Sequence, residues 1–265
     1  MGIIEAFILA LIQGITEFLP ISSSGHLILG SQLLGWADQG LAFDVTVHLG
    51  SLVAVLIYFR QDISAMALAW FQSVHQRKII NEQARLAWSV LFATIPVGLA
   101  GLFLGDYVEQ EFRSVSMVAA TMLVFAPLLW VADKFGRRDR SEMSIGLRDI
   151  LVVGVAQAFA LLPGVSRSGI TMLAGLGMGL SREASARFSF LLSIPVIVLV
   201  GAVKSLELWQ NETAINGQAL LVGFAVSAIS AYLCIHFFLK FLERIGFKPF
   251  AFYLLILACF LLLVK

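Results

Sequence analysis

Charged side chains are scarce here. They make up 13% of 265 residues, while 59% are hydrophobic and the mean hydropathy is +0.91. A soluble domain carries about 25% charged and about 45–50% apolar residues. So few charges cannot cover a water-exposed fold of this size, and the expected solvent is lipid. That excludes a cytosolic enzyme, a nucleic-acid binder and a secreted disulfide scaffold. The net charge is only +1, so no bulk field points to a polyanionic partner. Cysteine is nearly absent. Cys234 and Cys259 stand in apolar runs and are expected to be small buried side chains, neither a disulfide nor a metal site. No Lys or Arg precedes the first apolar stretch, MGIIEAFILALIQG. A secretory signal is therefore not expected, and residue 1 onward reads as mature protein.

What is present is a set of long apolar runs. A bilayer core of about 30 Å needs about 20 apolar residues in a helix. Six stretches fit: 42–59, 86–105, 114–132, 187–203, 217–239 and 247–264. Two others are interrupted. The stretch 3–35 is broken by Pro20, Ser22, Ser23, Ser24 and Gly25, and 147–180 by Pro163, Gly164, Ser166, Arg167, Ser168 and Gly169. Irregular backbone at membrane depth survives only inside protein or beside a wet cavity. Both stretches are therefore expected to be re-entrant helical hairpins. A helix with Ile63, Met66, Trp70, Phe71 and Val74 on its apolar face is expected to lie on the membrane interface.

Charge orients this arrangement. Six spans and two returning hairpins put loops near 60–85, 133–148, 181–187 and 240–248 on one side. That side collects Arg60, Arg77, Lys78, Arg85, Lys134, Arg137, Arg138, Arg140, Arg148, Arg182, Arg187, Lys240, Arg244 and Lys248. The other side receives Arg113, Lys204 and Lys265. Cationic loops stay cytoplasmic, so both termini are expected outside.

The halves also resemble each other. Gln13, Ser22, Ser24, Gly25 and Leu29 match Gln157, Ser166, Ser168, Gly169 and Leu173 at a shift of 144 residues. Each hairpin is followed by three spans. Three is odd, so the second copy is expected to be inverted. The expected fold is one all-α polytopic membrane domain, 1–265, with six transmembrane helices and two re-entrant hairpins in an inverted-topology repeat of 1–133 and 145–265. Such repeats place a site near the midplane where the broken helices meet.

Glu17, His26 and Arg167 lie inside these apolar hairpins, where an ionisable residue costs about 2.5–3.5 kcal/mol on insertion scales. Glu17 and Arg167 can offset each other as a purely structural pair, but that leaves His26 and the hydroxyls unexplained. A Ser- and Gly-rich turn opening a helix presents N–H groups to an anion. Arg167 adds a planar fork suited to phosphate, and Ser22, Ser166, Ser168 and Thr171 add hydroxyls. Glu17 can bind a divalent cation or move a proton, and His26 can act as base, acid or nucleophile. These are the parts for phosphoryl transfer. His48, close to Asp44, reads instead as an interhelical hydrogen-bond partner. His75 and His236 have no supporting constellation, and Gln13 and Gln157 can bridge the repeats.

Two motifs carry a family resemblance: Gln13-Gly-Ile-Thr-Glu17-Phe-Leu-Pro with Ser-Ser-Ser-Gly-His26, and Pro163-Gly-Val-Ser166-Arg167-Ser168-Gly-Ile-Thr171. With them the whole chain resembles the undecaprenyl-diphosphate phosphatases, bacterial membrane proteins associated with bacitracin resistance. The family's first motif allows Glu or Gln where this chain has Gln13, so a mechanism needing two carboxylates there does not transfer. The resemblance implies a hydrolase of the plasma (inner) membrane that removes the terminal phosphate of a polyprenyl diphosphate lipid. Its product is the lipid carrier for peptidoglycan, and its site opens to the outer side. It also implies a divalent cation, Mg²⁺ or Ca²⁺, with Glu17 as ligand. Glu17, Ser23, His26 and Arg167 are the expected catalytic residues. Gln13, Ser22, Ser166, Ser168 and Thr171 are expected to bind substrate. Ser23, His26 and water stay open as the nucleophile. The expected partners are the lipid substrate and membrane lipids, with no nucleic acid, and a homodimer is compatible. The rival from another class is a carrier of lipid phosphate or another anion, because broken helices in an inverted repeat also mark transporters.

Overall fold

The computed structural model describes residues 1–265 except 24, 28–35, 37–38, 113, 211–215 and 265. Ser24, Leu29, Arg113 and Lys265, all used in the sequence reading, lie outside the described residues. Among the described residues the chain is helical, and extended pairing is limited to one isolated bridge.

The helices are α1 Ile3–Thr16, α2 Leu41–Tyr58, α3 Arg60–Gln76, α4 Glu82–Glu111, α5 Val115–Phe135, α6 Leu147–Ala158, α7 Arg167–Gly177, α8 Arg182–Gln210, α9 Gly217–Ile245 and α10 Lys248–Val264. Five of them, α2, α4, α5, α8 and α9, are long and apolar enough to cross a membrane. The chain is a multi-pass membrane protein. Its outer face is apolar, with Ile4, Leu102, Phe103 and Leu221 each more than 70% exposed, as a lipid solvent requires.

Two helices outrun the apolar windows of the sequence. Asn81 caps α4 by accepting from the Ala84 N–H at 2.8 Å, and Ser181 caps α8 from the Ala184 N–H at 3.0 Å. A cap fixes a helix start by its hydrogen bond and not by hydrophobicity, so both helices begin before their apolar runs.

α9 packs against α1 and α2, while α4 packs against α6 and α8; α5 packs against α10, and α2 against α8. Small residues allow the closest approaches. A Cβ on Gly50 would lie 2.6 Å from the Phe224 carbonyl oxygen, and van der Waals contact of this kind holds helices together in lipid.

The basic loops knit together at one end of the bundle. Arg187 pairs with Glu142 at 2.6 Å and with Asp62 at 3.0 Å. Arg182 grips Asp133 at 2.6 and 3.0 Å and donates to the Glu243 carbonyl. Arg85 donates to the Met143 carbonyl. At the other end, Asn216 meets the carbonyl of Met1.

The segment α6–turn–α7 begins and ends at the basic end. Arg140 N–H donates to the Gly179 carbonyl at 3.1 Å, and Ser181 N–H donates to the Arg140 carbonyl at 2.8 Å. The Arg140 side chain also holds Asp149, in the first turn of α6, at 2.9 and 2.8 Å. With 12 residues, α6 rises only about 18 Å.

Three expectations change. Cys259 is exposed and Cys234 only half-buried, its thiol donating to the Ile15 carbonyl at 3.2 Å; neither forms a disulfide. On a lipid-facing helix, burial and apolarity no longer coincide. In α3 the expected single stripe divides. Met66 and Ala69 are buried, whereas Leu68, Phe71 and Val74 are exposed. Trp70 on the inner side packs against Trp88 at 5.6 Å, so α3 is held by α4 as well as by its apolar face. Gln13 and Gln157 take different partners instead of bridging the halves: Gln13 reaches Glu17, and Gln157 reaches the Ala93 carbonyl on α4.

Candidate active site

The two interrupted turns meet on one face of α5. The first follows α1, whose last turn carries Gln13; Glu17 begins the turn. Ser22 takes a left-handed φ of 68°, and its hydroxyl accepts from Gly25 N–H at 3.3 Å, starting a new helical turn. In the second, Ser166 caps α7 by accepting from Gly169 N–H at 3.1 Å. Backbone geometry demands glycine in the second turn. Gly164 has φ 93°, and a Cβ there would lie 2.6 Å from the Val118 carbonyl oxygen. A Cβ on Gly169 would lie 2.5 Å from the Phe125 ring and 3.0 Å from Pro20, so the turns touch through a residue with no side chain. The contact is also polar. Ser168 and Ser166 both donate to the Leu19 carbonyl, at 2.9 and 3.3 Å.

At that contact lies a charged chain. Arg167 Nη2 donates to Glu17 Oε1 at 2.6 Å, and its Nη1 donates to the Ser189 carbonyl at 3.3 Å. Glu17 Oε2 accepts from Ser23 Oγ at 2.8 Å and from Gln13 Nε2 at 2.9 Å. Glu17 is 7% exposed and Arg167 13%, so the pair is shielded from solvent. Removing one member of a buried pair costs about 3–5 kcal/mol, because the other charge is stranded. Ser23 is less buried than Glu17. The Gln13 carbonyl oxygen is buried and has no partner among the described residues.

The remaining expected site residues are placed nearby, with other partners. His26 Nδ1 meets the Ser22 carbonyl at 2.7 Å, which makes it the donor nitrogen of a neutral ring. Nε2 then accepts from Tyr253 Oη at 2.7 Å, and the two rings stack at 5.7 Å. Thr171 donates to the Ser189 hydroxyl at 2.7 Å and to the Arg167 and Ser168 carbonyls. The hydroxyls of Ser166, Ser168 and Thr171 thus bond protein groups in this state.

Sequence reasoning missed three residues. His48 stands with Nε2 3.8 Å from Glu17 Oε2, its Nδ1 held by the Asp44 carbonyl at 2.7 Å. The cost of an intramembrane imidazole was the signal for it. Ser189 supports both Arg167 and Thr171, and Tyr253 supports His26. Neither stands in a motif, and only tertiary packing brings them in. Among the described residues no three His, Cys, Asp or Glu side chains gather as a ready metal cage.

Residues 6–260 match the family described as bacitracin resistance protein BacA. The undecaprenyl-diphosphatase 2 of Stutzerimonas stutzeri is 52% identical over 267 residues, covering 100% of this chain and 98% of its own. The undecaprenyl-diphosphatase of Teredinibacter turnerae is 52% identical over 261 residues, with 98% of each chain covered. That of Nitrosococcus oceani is 51% identical over 261 residues, again with 98% of each covered.

Proposed function

We propose that this chain, which belongs to the bacitracin resistance protein BacA family, is an undecaprenyl-diphosphatase that removes the terminal phosphate of undecaprenyl diphosphate. The product, undecaprenyl phosphate, is the lipid carrier for peptidoglycan assembly, and its recycling fits the family's bacitracin resistance. The observation that carries this reading is the buried run Arg167–Glu17–Ser23, which joins an anion-binding fork, a carboxylate and a hydroxyl within hydrogen-bond reach. The relatives named above bear a phosphatase's name and none bears a carrier's, so the transport alternative lacks comparable support.

Chemistry follows from the donors and acceptors. Ser23 Oγ attacks the terminal phosphorus, and Glu17 Oε2 takes its proton across the 2.8 Å contact. The bond from that phosphorus to the bridging oxygen breaks, and undecaprenyl phosphate leaves. Arg167 swings part of its fork from Glu17 to the terminal oxygens, where charge builds in the transition state. Water then hydrolyses the phosphoserine, with His26 Nε2 as acceptor of its proton. Ser22, Ser166, Ser168 and Thr171 hold the turns in frame. They reach phosphate oxygens only by exchanging their present protein partners.

The site also fits a divalent cation. Glu17 Oε2, Ser23 Oγ and the unpartnered Gln13 oxygen are hard donors in one place. Mg²⁺ is commonly held by one or two carboxylates, several waters and substrate phosphate. Such an ion supplies charge neutralisation at the diphosphate. We assign Glu17 and Gln13 to hold it.

The membrane arrangement proposed is six spans, with α10 as the sixth, and two re-entrant hairpins in an inverted repeat of 1–133 and 145–265. Exchanging α1 with α6, α2 with α8, α4 with α9 and α5 with α10 turns each packed pair α1–α9 and α2–α9 into another packed pair, α6–α4 and α8–α4. The Arg140–Leu180 bridge supports entry and exit of the second hairpin on one side. The basic end then faces the cytoplasm, both termini face outward, and the chain sits in the bacterial inner membrane.

Phosphate release from undecaprenyl diphosphate by the purified protein in detergent tests this function. Detergent abolishes transport but permits hydrolysis. Release that chelator stops and Mg²⁺ or Ca²⁺ restores is the expected result; no release under any cation overturns the assignment.

A further inference from the structure

A second polar cavity, of about 430 Å³, lies at the basic end of the bundle. It is lined by Lys134, Arg138, Arg182 and Lys248, with Asp133 as the only carboxylate among its lining residues. Arg182 is committed to Asp133 at 2.6 Å, and Phe247 N–H takes the second Asp133 oxygen at 3.0 Å. Among the described residues, Lys134, Arg138 and Lys248 have no carboxylate partner. These cations face a cavity with nothing to neutralise them.

The walls place this cavity at the edge of lipid. Lys134 Nζ lies 5.1 Å over the Trp130 ring, and Lys248 Nζ lies 5.6 Å over the Phe252 ring. Trp130 is 36% exposed, Phe135 71% and Phe252 50%. Aromatic side chains beside lysines at a helix end are the pattern of the headgroup layer. A free phosphate would need the cations but not the apolar skirt. A zwitterionic headgroup would need the skirt but not the unneutralised cations. The catalytic tips are elsewhere: Phe125, which touches Gly169, is about 12 Å along α5 from Asp133.

We infer that this cavity is a binding site for an anionic glycerophospholipid, its phosphate among Lys134, Arg138 and Lys248 and its acyl chains along Phe135 and Phe252. Basic pockets between transmembrane helices on the cytoplasmic side bind such headgroups. The inference rests on the membrane-spanning reading above and is independent of the hydrolytic one.

Native mass spectrometry of the full-length protein in detergent, with added phosphatidylglycerol or phosphatidylcholine, tests it. Wild type is expected to retain one phosphatidylglycerol in preference to phosphatidylcholine. Lys134→Gln/Arg138→Gln/Lys248→Gln is expected to bind it at least about tenfold more weakly, and Lys134→Arg/Lys248→Arg to bind it as wild type does. If the triple variant fails to fold, each single Gln variant should still show a severalfold loss. Equal retention of both lipids, unchanged binding in the Gln variants, or displacement by millimolar inorganic phosphate overturns the proposal. Melting temperature reports folding. Loss of wild-type hydrolysis would count against the phosphatase reading and leave the lipid result standing.

Discussion

Arg167 Nη2 sits 2.6 Å from Glu17 Oε1, an ion pair that closes over 150 positions of sequence and fastens one interrupted segment to the other. The same guanidinium reaches the Ser189 carbonyl with its other nitrogen. Two separate acceptors on one planar group is a task that an ammonium does not reproduce. Arg167→Lys should therefore fold, since the charge on Glu17 is still met, yet lose at least about a hundredfold in kcat for phosphate release, the scale of losing one transition-state donor. Arg167→Ala should in addition melt at lower temperature. Near-normal turnover in Arg167→Lys would remove the fork from the mechanism.

Ser23 is the hydroxyl that touches the carboxylate, and His26 is not. That contact makes Ser23 the nucleophile expected here. Acid quenching of wild type during turnover of a diphosphate labelled in its terminal phosphate should trap label on the protein. Ser23→Ala should trap none and should lose about a thousandfold or more in rate. Label retained in Ser23→Ala would move the nucleophile to His26. Normal turnover without any label would favour attack by water.

The parts legible in sequence were those written in local pattern. Apolar runs marked α2, α4, α5, α8, α9 and α10 to within a few residues of their cores, and the Pro, Ser and Gly clusters marked both turns. Intramembrane charge marked Glu17 and Arg167, which the structure brings into contact. What escaped was set by tertiary packing. Tyr253 looks like any aromatic of an apolar helix until α10 packs on α5 and its hydroxyl meets His26. His48 was read as a hydrogen-bond partner because nothing local ties it to Glu17, four residues after Asp44 and far from the first turn. The serines were read by their hydroxyl chemistry, while their partners, such as the Leu19 carbonyl, belong to the other half of the chain.

Contact between the turns depends on absent side chains. Gly164→Ala places a methyl against the Val118 carbonyl at 2.6 Å, and its φ of 93° is disfavoured for any residue with a Cβ. Gly169→Ala instead meets the Phe125 ring, which can rotate. Gly164→Ala should be the more damaging, lowering the melting temperature in detergent and abolishing activity. Gly169→Ala should lower kcat by pushing the tips apart, with a smaller effect on melting. Equal melting of both variants and wild type would show that the turns are not as tightly packed as these distances require.

At the base of the second hairpin, outside the spanning helices, Asp149 joins pH to stability. Burial pushes its carboxyl upward, but the two N–H bonds from Arg140 and the one from Gly146 outweigh it, and the group ends below the ordinary aspartate range. The folded value is then lower than the unfolded one, near 3.9. The stabilisation is complete above about pH 4 to 5 and is lost as pH falls through the folded value. Thermal melting in detergent should therefore gain no dependence on Asp149 between pH 6 and 8, and should fall below about pH 4. Asp149→Asn should lower the melting temperature at pH 7, because Arg140 loses its carboxylate, and should flatten this part of the acid loss. Since Arg140 also holds the Gly179 and Ser181 backbone beside it, the variant should raise hydrogen exchange at residues 178–181 before it affects α5. An acid profile identical in Asp149→Asn and wild type would assign the loss to other carboxylates at this end, Asp133 foremost.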